Sequence, residues 1–275
     1  MSLTSTLSDK RRHRSLRKYL RVFHYAVRDQ FVYLPAFLSR NVFFVIVLFI
    51  FYSLWRAIYT GRDALAGLTI TQVLWYFTFT EVIELGRSRV YPEIQQEVKD
   101  GTIAYALTRP YSYVGYCFSK AMGENLVKMV PLLAVGFITA FAFTGYLPEY
   151  HRALPFGLIL ITGGYAVGTL WQIMIGLLAF WFEEVSPFHW IIQKLIFVLG
   201  GMFFPIDFFP EWLQGFAKST PFAFSAYWPA ITMVDFSFER FLTALAGQTV
   251  YCVMLAALTA LLFSAAVRKV HVQGG

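Results

Sequence analysis

Two carboxylates, Glu81 and Glu84, interrupt an otherwise uncharged apolar block, TITQVLWYFTFTEVIELG. Three residues apart, they share one face of a helix, and a carboxylate held at mid-bilayer costs ~2.5–3.5 kcal/mol on insertion scales. They must therefore face a cavity or reach the membrane interface. Two chemistries suit them. A cation or proton pathway through the pair would make the chain an ion-coupled secondary transporter. Ion pairing with Arg87 and Arg89, just beyond them, asks for no pathway and is the simpler reading. Glu183 and Glu184, ahead of Pro187 and His189, suit a partner contact or a solvated turn, and Asp207, Glu211, Asp235 and Glu239 read as wet loop residues. His189 has no second His or Cys at ligand spacing, so it reads as an interfacial histidine and no metal site is expected. Neither GxxxxGK[ST], HExxH nor CxxC occurs, and GRDALAGLT lacks the lysine of a phosphate loop, so no nucleotide site is expected on this chain. Cys117 and Cys252 lie in or beside apolar blocks far apart in sequence and read as packed thiols rather than a disulfide.

The elements that carry these residues are set by composition. Of 275 residues 57% are hydrophobic and 14% charged, with a mean hydropathy of +0.56, against roughly 25% charged in a soluble domain. The apolar residues fall in long uncharged blocks, and a spanning helix needs ~20 such residues. The blocks place spans at 41–59, 68–86, 121–143, 154–182, 187–206 and 241–266. Lys128 and Pro131 stand near the entrance of the third, and the fourth is long enough to tilt. Tyr and Trp near block ends (Trp55, Tyr59, Tyr146, Tyr150, Trp181, Trp190, Trp212, Trp228) suit the headgroup region. The expected fold is an all-α membrane protein of six transmembrane helices.

An even number of spans puts both termini on one side, and basic residues choose it. Eighteen Lys/Arg fall on the side of the termini against five (Arg56, Arg62, Arg152, Lys218, Arg240) on the other, which assigns both termini to the cytoplasm. This bias, with no accompanying aromatic-basic module, accounts for the net charge of +7 without nucleic acid. The N-terminal stretch is too basic, and lacks the small-residue site, for a cleaved signal. Between Arg14 and Arg28, Leu16, Tyr19, Leu20, Phe23, Ala26 and Val27 recur at helical spacing opposite most of the basic residues, which predicts a helix lying on an anionic membrane surface.

The connection between the second and third spans, RVYPEIQQEVKDGTIAYALTRPYSYVGYCFSKAMGENLVK, reads as a compact cytoplasmic elbow. Glu93 to Asp100 forms a short polar helix, Gly101 ends it, Thr102 caps the next segment and Arg109-Pro110 closes that. After the fifth block comes GGMFFPIDFFPEWLQGFAKSTPFAFSAYWPA, in which Pro205 and Pro210 should stop the helix before it leaves the bilayer and let a short amphipathic helix dip into the outer leaflet.

The elbow resembles that of ABC-2 type exporter permeases at Glu97, Gly101, Thr102, Ile103, Leu107, Pro110 and Lys120. The second stretch resembles the same family at Gly201, Phe203, Phe204, Pro205, Pro210, Trp212, Leu213 and Pro221. KYLRVF and DGTIAYALTRPYSY look closest to the compact subfamily that works with a separate ATPase. The resemblance implies a cytoplasmic N-terminus over 1–40, a six-span domain over 41–266 with a coupling elbow at about 91–120 and an outer re-entrant segment at about 205–230, and a cytoplasmic tail over 267–275. It implies an inner-membrane exporter permease, not itself an enzyme, that carries no cofactor. ATP and magnesium would sit on two copies of an ABC ATPase docked at the elbows through Glu97, Gly101, Thr102, Ile103, Leu107, Arg109 and Pro110. A second permease, identical or homologous, would complete the complex, with membrane lipids around it. Spans two and five would line the route, making Trp75, Phe79, Phe197 and Phe204 candidates for contacting an amphipathic or hydrophobic cargo, or else packed aromatics. The rival readings are the ion-coupled transporter using Glu81 and Glu84 and a membrane scaffold without transport.

Overall fold

The computed structural model describes residues 17–29, 34–148 and 150–269. The expectations for Arg14, Leu16 and residues 270–275 fall outside them. Helix α1 covers 17–29. It is followed by α2 (Leu34–Ile58), a minimal hairpin β1 (Ala64–Leu65) and β2 (Leu68–Thr69), α3 (Ile70–Gly86), α4 (Tyr91–Lys99), α5 (Ile103–Leu107), α6 (Tyr113–Thr144) and α7 (Tyr150–Leu177). Then come α8 (Ser186–Leu199), α9 (Glu211–Lys218), α10 (Pro221–Ser225), α11 (Tyr227–Val234) and α12 (Phe238–Val267). Among the described residues, regular structure is thus helical apart from one two-residue pairing.

Four helical stretches, Leu38–Ile58, Tyr113–Thr144, Tyr150–Phe180 and Phe238–Val267, are long and apolar enough to cross a membrane. Their outer faces carry the apolar side chains that a bilayer would cover. Val42, Ile46 and Ile50 on α2, and Val250, Val253 and Leu261 on α12, are all more than half exposed.

Helix α3 is the opposite case. Every residue from Val73 to Ile83 is buried, so this helix, apolar on nearly all sides, forms the centre of the fold. Its start is fixed by a capping box in which Thr69 accepts from the Gln72 amide and Gln72 returns the bond to the Thr69 amide. It packs on α2, α6 and α11. Polar side chains pin the helices where apolar contact alone would leave them free to slide. Tyr165 Oη of α7 donates to Val82 O at 2.8 Å, Tyr76 Oη donates to Gly201 O at 2.7 Å, and Gln248 Nε2 of α12 bridges Leu160 O at 2.8 Å and Phe224 O at 2.9 Å.

Several expected boundaries move. The third block begins at Tyr113, not 121, because Ser112 caps the helix by accepting from the Gly115 amide at 3.3 Å, and the first turns pack against the elbow rather than lipid. Lys128 and Pro131 therefore lie well inside α6, which continues through the proline. The helix of the fourth block starts at Tyr150 and that of the sixth at Phe238. The fifth block is helical only to Leu199, and its 14 residues reach about 21 Å at 1.5 Å per residue. The stop is Gly200-Gly201, the latter at φ +72°, rather than Pro205. The segment after the fifth block is a run of short helices, α9 to α11, of which α11 is buried along its length against α3 and α7.

Contacts sort the connections into two ends. Helix α1 lies at the elbow end, where Lys18 Nζ donates to Pro110 O at 2.9 Å and Tyr19 Oη accepts from the Ser112 amide at 3.0 Å. Lys269, at the other limit of the described chain, stands over the Trp181 ring just past the elbow end of α7. The β1–β2 hairpin and the 145–148 and 235–238 connections gather at the far end, where Phe156 of α7 meets Phe236, Phe238 and Phe241.

Candidate functional site

The elbow is built from α4 and α5. Helix α4 is amphipathic: Tyr91, Ile94 and Gln95 are buried while Glu93, Gln96 and Lys99 face out. Ile94 seats on Gly176 of α7, inside a cluster with Ile103, Tyr113, Ile173 and Leu177. Gly101, at φ +72°, lets the chain reverse into α5 without the steric cost a side chain would add.

Polar ties fix this seat on two sides. Gln95 donates through Nε2 to Glu184 at 3.1 Å and accepts from the Val185 amide at 3.3 Å, which joins α4 to the turn after α7. Tyr113 Oη donates to Glu97 at 2.5 Å, and Lys120 pairs with Glu93 at 2.7 Å, which joins α4 to α6. Lys99 stands 3.6 Å from Glu184. Hydrogen bonds from the Ser186 hydroxyl and amide, with that of Gln95, hold the Glu184 carboxyl down at about 2, so this acceptor stays charged at any ordinary pH. One side chain has no tie: Tyr105 of α5 is 76% exposed, a large aromatic on the outermost helix of the elbow.

Beside the elbow, between α2, α3, α6, α7 and α8, lies a cavity of about 660 Å³ whose lining includes Arg40, Glu81, Glu84, Arg87, Lys128 and His189. Glu84 pairs with Arg87 at 2.8 Å and accepts from Gln193 at 3.2 Å. Lys128 pairs with Glu124 at 3.3 Å and donates to Ser88 Oγ at 2.6 Å. His189 is buried, stacked on Tyr91 at 4.4 Å between ring centres and 3.3 Å from Gln172 Nε2.

A family model described as ABC-2 family transporter protein matches residues 44–274, which covers α3, the whole elbow, the cavity's α3, α6 and α8 walls, and α12. The chain belongs to the ABC-2 transporter family. No curated protein matches it. As an ABC-2 family member it is an integral membrane protein and a transport component.

Set in this ABC-2 chain, the residues singled out from sequence separate into groups. In the elbow, Ile103 is buried, Leu107 is half-buried against the same cluster, and Gly101, Thr102, Arg109 and Pro110 are exposed. Thr102 does not cap α5 with its side chain: its backbone is already helical at φ −66°, and its hydroxyl turns back to Glu97 O at 3.4 Å. Glu97 is half-buried and held by Tyr113, and Arg109 donates to Tyr111 Oη at 2.8 Å.

The four aromatic candidates do not share a surface. Trp75 and Phe79 lie on the side of α3 turned to α6, buried against Phe137 at 4.9 and 5.9 Å between ring centres. Phe197 lines the cavity, and Phe204 is 41% exposed. In the segment after α8, Gly201 and Pro205 are buried, Pro210 caps α9, Pro221 opens α10 and Trp212 is 78% exposed. Asp207 is not a wet loop residue: it pairs with Lys218 at 2.7 Å and accepts from Tyr227 Oη at 2.9 Å. Of the acidic pair, Glu84 is matched with Arg87 as the pairing reading expects, while Glu81 is buried with no hydrogen bond or ion pair among the described residues. Gln95, Tyr105 and Tyr113 escaped the sequence reading. A Gln beside Ile94 on the apolar side of α4, and a Tyr between alanines in a polar elbow, were the available signals.

Proposed function

We propose that this ABC-2 protein is the permease subunit of an ATP-driven exporter that moves an amphipathic or hydrophobic substrate out of the cytoplasm or the inner leaflet. In this reading it makes six crossings of the inner membrane, the four long apolar helices being completed by α3 and by α8 with the segment after it. Both termini and the elbow are cytoplasmic, as the basic residues require. Two ABC ATPase subunits, carrying ATP and magnesium, dock on the elbows of this chain and of a second permease, identical or homologous. Closure of the ATPases on ATP pushes the elbows and switches the cavity between them, the work coming from the different affinity of ATP for the two states.

The observation that carries this reading is an elbow seated without slack on α7 and tied to α6 and the 183–186 turn, while it presents Tyr105 outward. A coupling element needs that combination: rigid toward the membrane, adhesive toward a partner. The test is reconstitution with the co-purified ATPase. Vanadate-sensitive ATPase activity should rise when the permease is added, and Gly101→Val should abolish the rise while leaving the membrane domain folded. ATP hydrolysis by the purified chain alone, or stimulation indifferent to changes at Gly101 and Tyr105, would sink the division of labour.

A further inference from the structure

The cavity beside the elbow holds unpartnered groups of both signs. Arg87 is almost wholly buried, its side chain 5% exposed, and with Nη1 given to Glu84 its Nε and Nη2 have no acceptor. Arg40 and Arg89 line the same space and form no ion pair among the described residues. Facing these donors are two acceptors without donors: the carboxylate of Glu81, 8% exposed, and Oε1 of Gln172, 5% exposed, whose amide nitrogen is taken by His189. The other charges at the cavity are already matched, Glu84 by Arg87 and Lys128 by Glu124.

A simple anion would satisfy the guanidinium groups and leave Glu81 opposed to it; a simple cation would do the reverse. Buried polar groups of either sign are costly when left unsatisfied, and more so when charged. One ligand satisfies both sets: a zwitterion with a phosphate and an ammonium a few ångströms apart. The walls say where it comes from. Phe43, Val47 and Phe51 recur every four residues along α2 and line the cavity, and Phe43 is 53% exposed on the outer face of that apolar helix, so the space communicates with the lipid side. Arg89, exposed next to the elbow, marks its opening toward water. A polar floor open to water and an apolar wall open to lipid match an interfacial amphiphile.

We propose that this cavity binds a phospholipid whose headgroup carries both a phosphate and a primary ammonium. Arg40, Arg87 and Arg89 take the phosphate, Glu81 and Gln172 take the ammonium, and an acyl chain lies along the α2 stripe. The site holds whether or not the bound lipid is also the transported molecule, so its test uses binding alone. The delipidated full chain in mild detergent is titrated with dioleoylphosphatidylethanolamine or dioleoylphosphatidylglycerol and read by native mass spectrometry.

The parent protein should retain the ethanolamine lipid about tenfold over the glycerol lipid, the scale of one charge-assisted hydrogen bond. Glu81→Gln, nearly isosteric, should bring that ratio to about one, and Arg40→Ala should weaken both lipids about tenfold. Equal retention of the two lipids by the parent chain, or an unchanged ratio in Glu81→Gln, overturns the proposal. Displacement of the lipid by soluble phosphoethanolamine at equal concentration overturns the lipid source, since the α2 stripe would then contribute nothing.

Discussion

Gly176 is where α7 admits α4, and filling it tests the elbow directly. A Cβ at that position would lie 2.8 Å from Ile94 Cβ and 2.9 Å from Ile94 Cδ1. The Cβ of a branched residue cannot swing aside, so Gly176→Ala has to lift the α4 backbone. Overpacking of this kind costs ~1–3 kcal/mol. Alanine also raises helix propensity by ~1 kcal/mol over glycine, but α7 collects that gain whether or not α4 is seated, so it does not offset the clash. The seated state therefore loses about 5- to 150-fold in population against the lifted one. Amide hydrogen exchange read peptide by peptide should accelerate by that factor over 91–99 and stay unchanged or slow in α7. With the ATPase partner present, stimulation should fall in parallel. Unchanged exchange over 91–99 would refute the seat; faster exchange with full stimulation would refute the elbow as the coupler.

Three further outcomes follow from particular contacts. Tyr105→Ala should leave thermal stability within about 0.5 kcal/mol, as for an exposed residue without partners, yet weaken ATPase association by ~2 kcal/mol, roughly 30-fold, in a pull-down titration; equal capture of both proteins removes Tyr105 from the interface. Gln248→Leu breaks two interhelical bonds, to Leu160 and Phe224. With such bonds averaging ~0.6 and reaching ~1.7 kcal/mol in membrane proteins, it should cost ~1–3 kcal/mol in a denaturing-detergent titration, and no shift would mean the contacts are not held in the bilayer. The Glu184 carboxyl, held at about 2 against an ordinary 4.5, contributes stability that is fully present above the ordinary value and is lost only as pH falls toward the lower one. Exchange over 91–99, corrected for intrinsic rates, should thus stay flat from about pH 8 to about pH 5, and Glu184→Gln should speed it at every pH; a parent protein whose elbow loosens near about pH 5 contradicts the assignment.

What the sequence disclosed and what it withheld divide along one physical line. Uncharged length alone located α2, α7 and α12, because a bilayer asks only for apolar surface over a fixed distance. Gly101 was legible as a break because left-handed backbone is a local demand. The start of α6 was not, since Lys120 and Lys128 looked like membrane-edge charges when they are the partners of Glu93 and Glu124 on a helix that extends past the apolar zone. The apolar run through 206 hid the end of α8 at Leu199, because hydropathy reports burial and says nothing of helix continuity. In the site, the positions that matched a family pattern were visible, but the residues that hold them, Gln95 to Glu184 and Tyr113 to Glu97, act across 89 and 16 positions and leave no periodic trace.

The ties also decide how a push on the elbow would travel. Were α4 attached to one helix alone, it would pivot, and a displacement at Tyr105 would be spent rotating the elbow. Attached to α7 by Ile94 on Gly176, to the 183–186 turn by Gln95, and to α6 by Glu97 and Glu93, it is held at more than two separated points and must carry its neighbours with it. Helix α6, 32 residues and about 48 Å long, reaches the far end, and α7 runs back from there. Between them stands α3, bonded through Tyr165 to α7 and through Tyr76 to the segment after α8. The cavity is walled by that same α3, by α6 and by α8. A rigid shift of the elbow therefore changes the spacing of the helices that bear Glu81, Lys128 and His189, without any moving part inside the cavity itself. Under the proposed coupling, cutting both α6 ties at once with Tyr113→Phe and Glu93→Gln should uncouple the cavity from the ATPase more than the two single changes add up to. Either remaining tie still prevents pivoting; additive losses in ATPase stimulation would mean that the push enters through α7 alone.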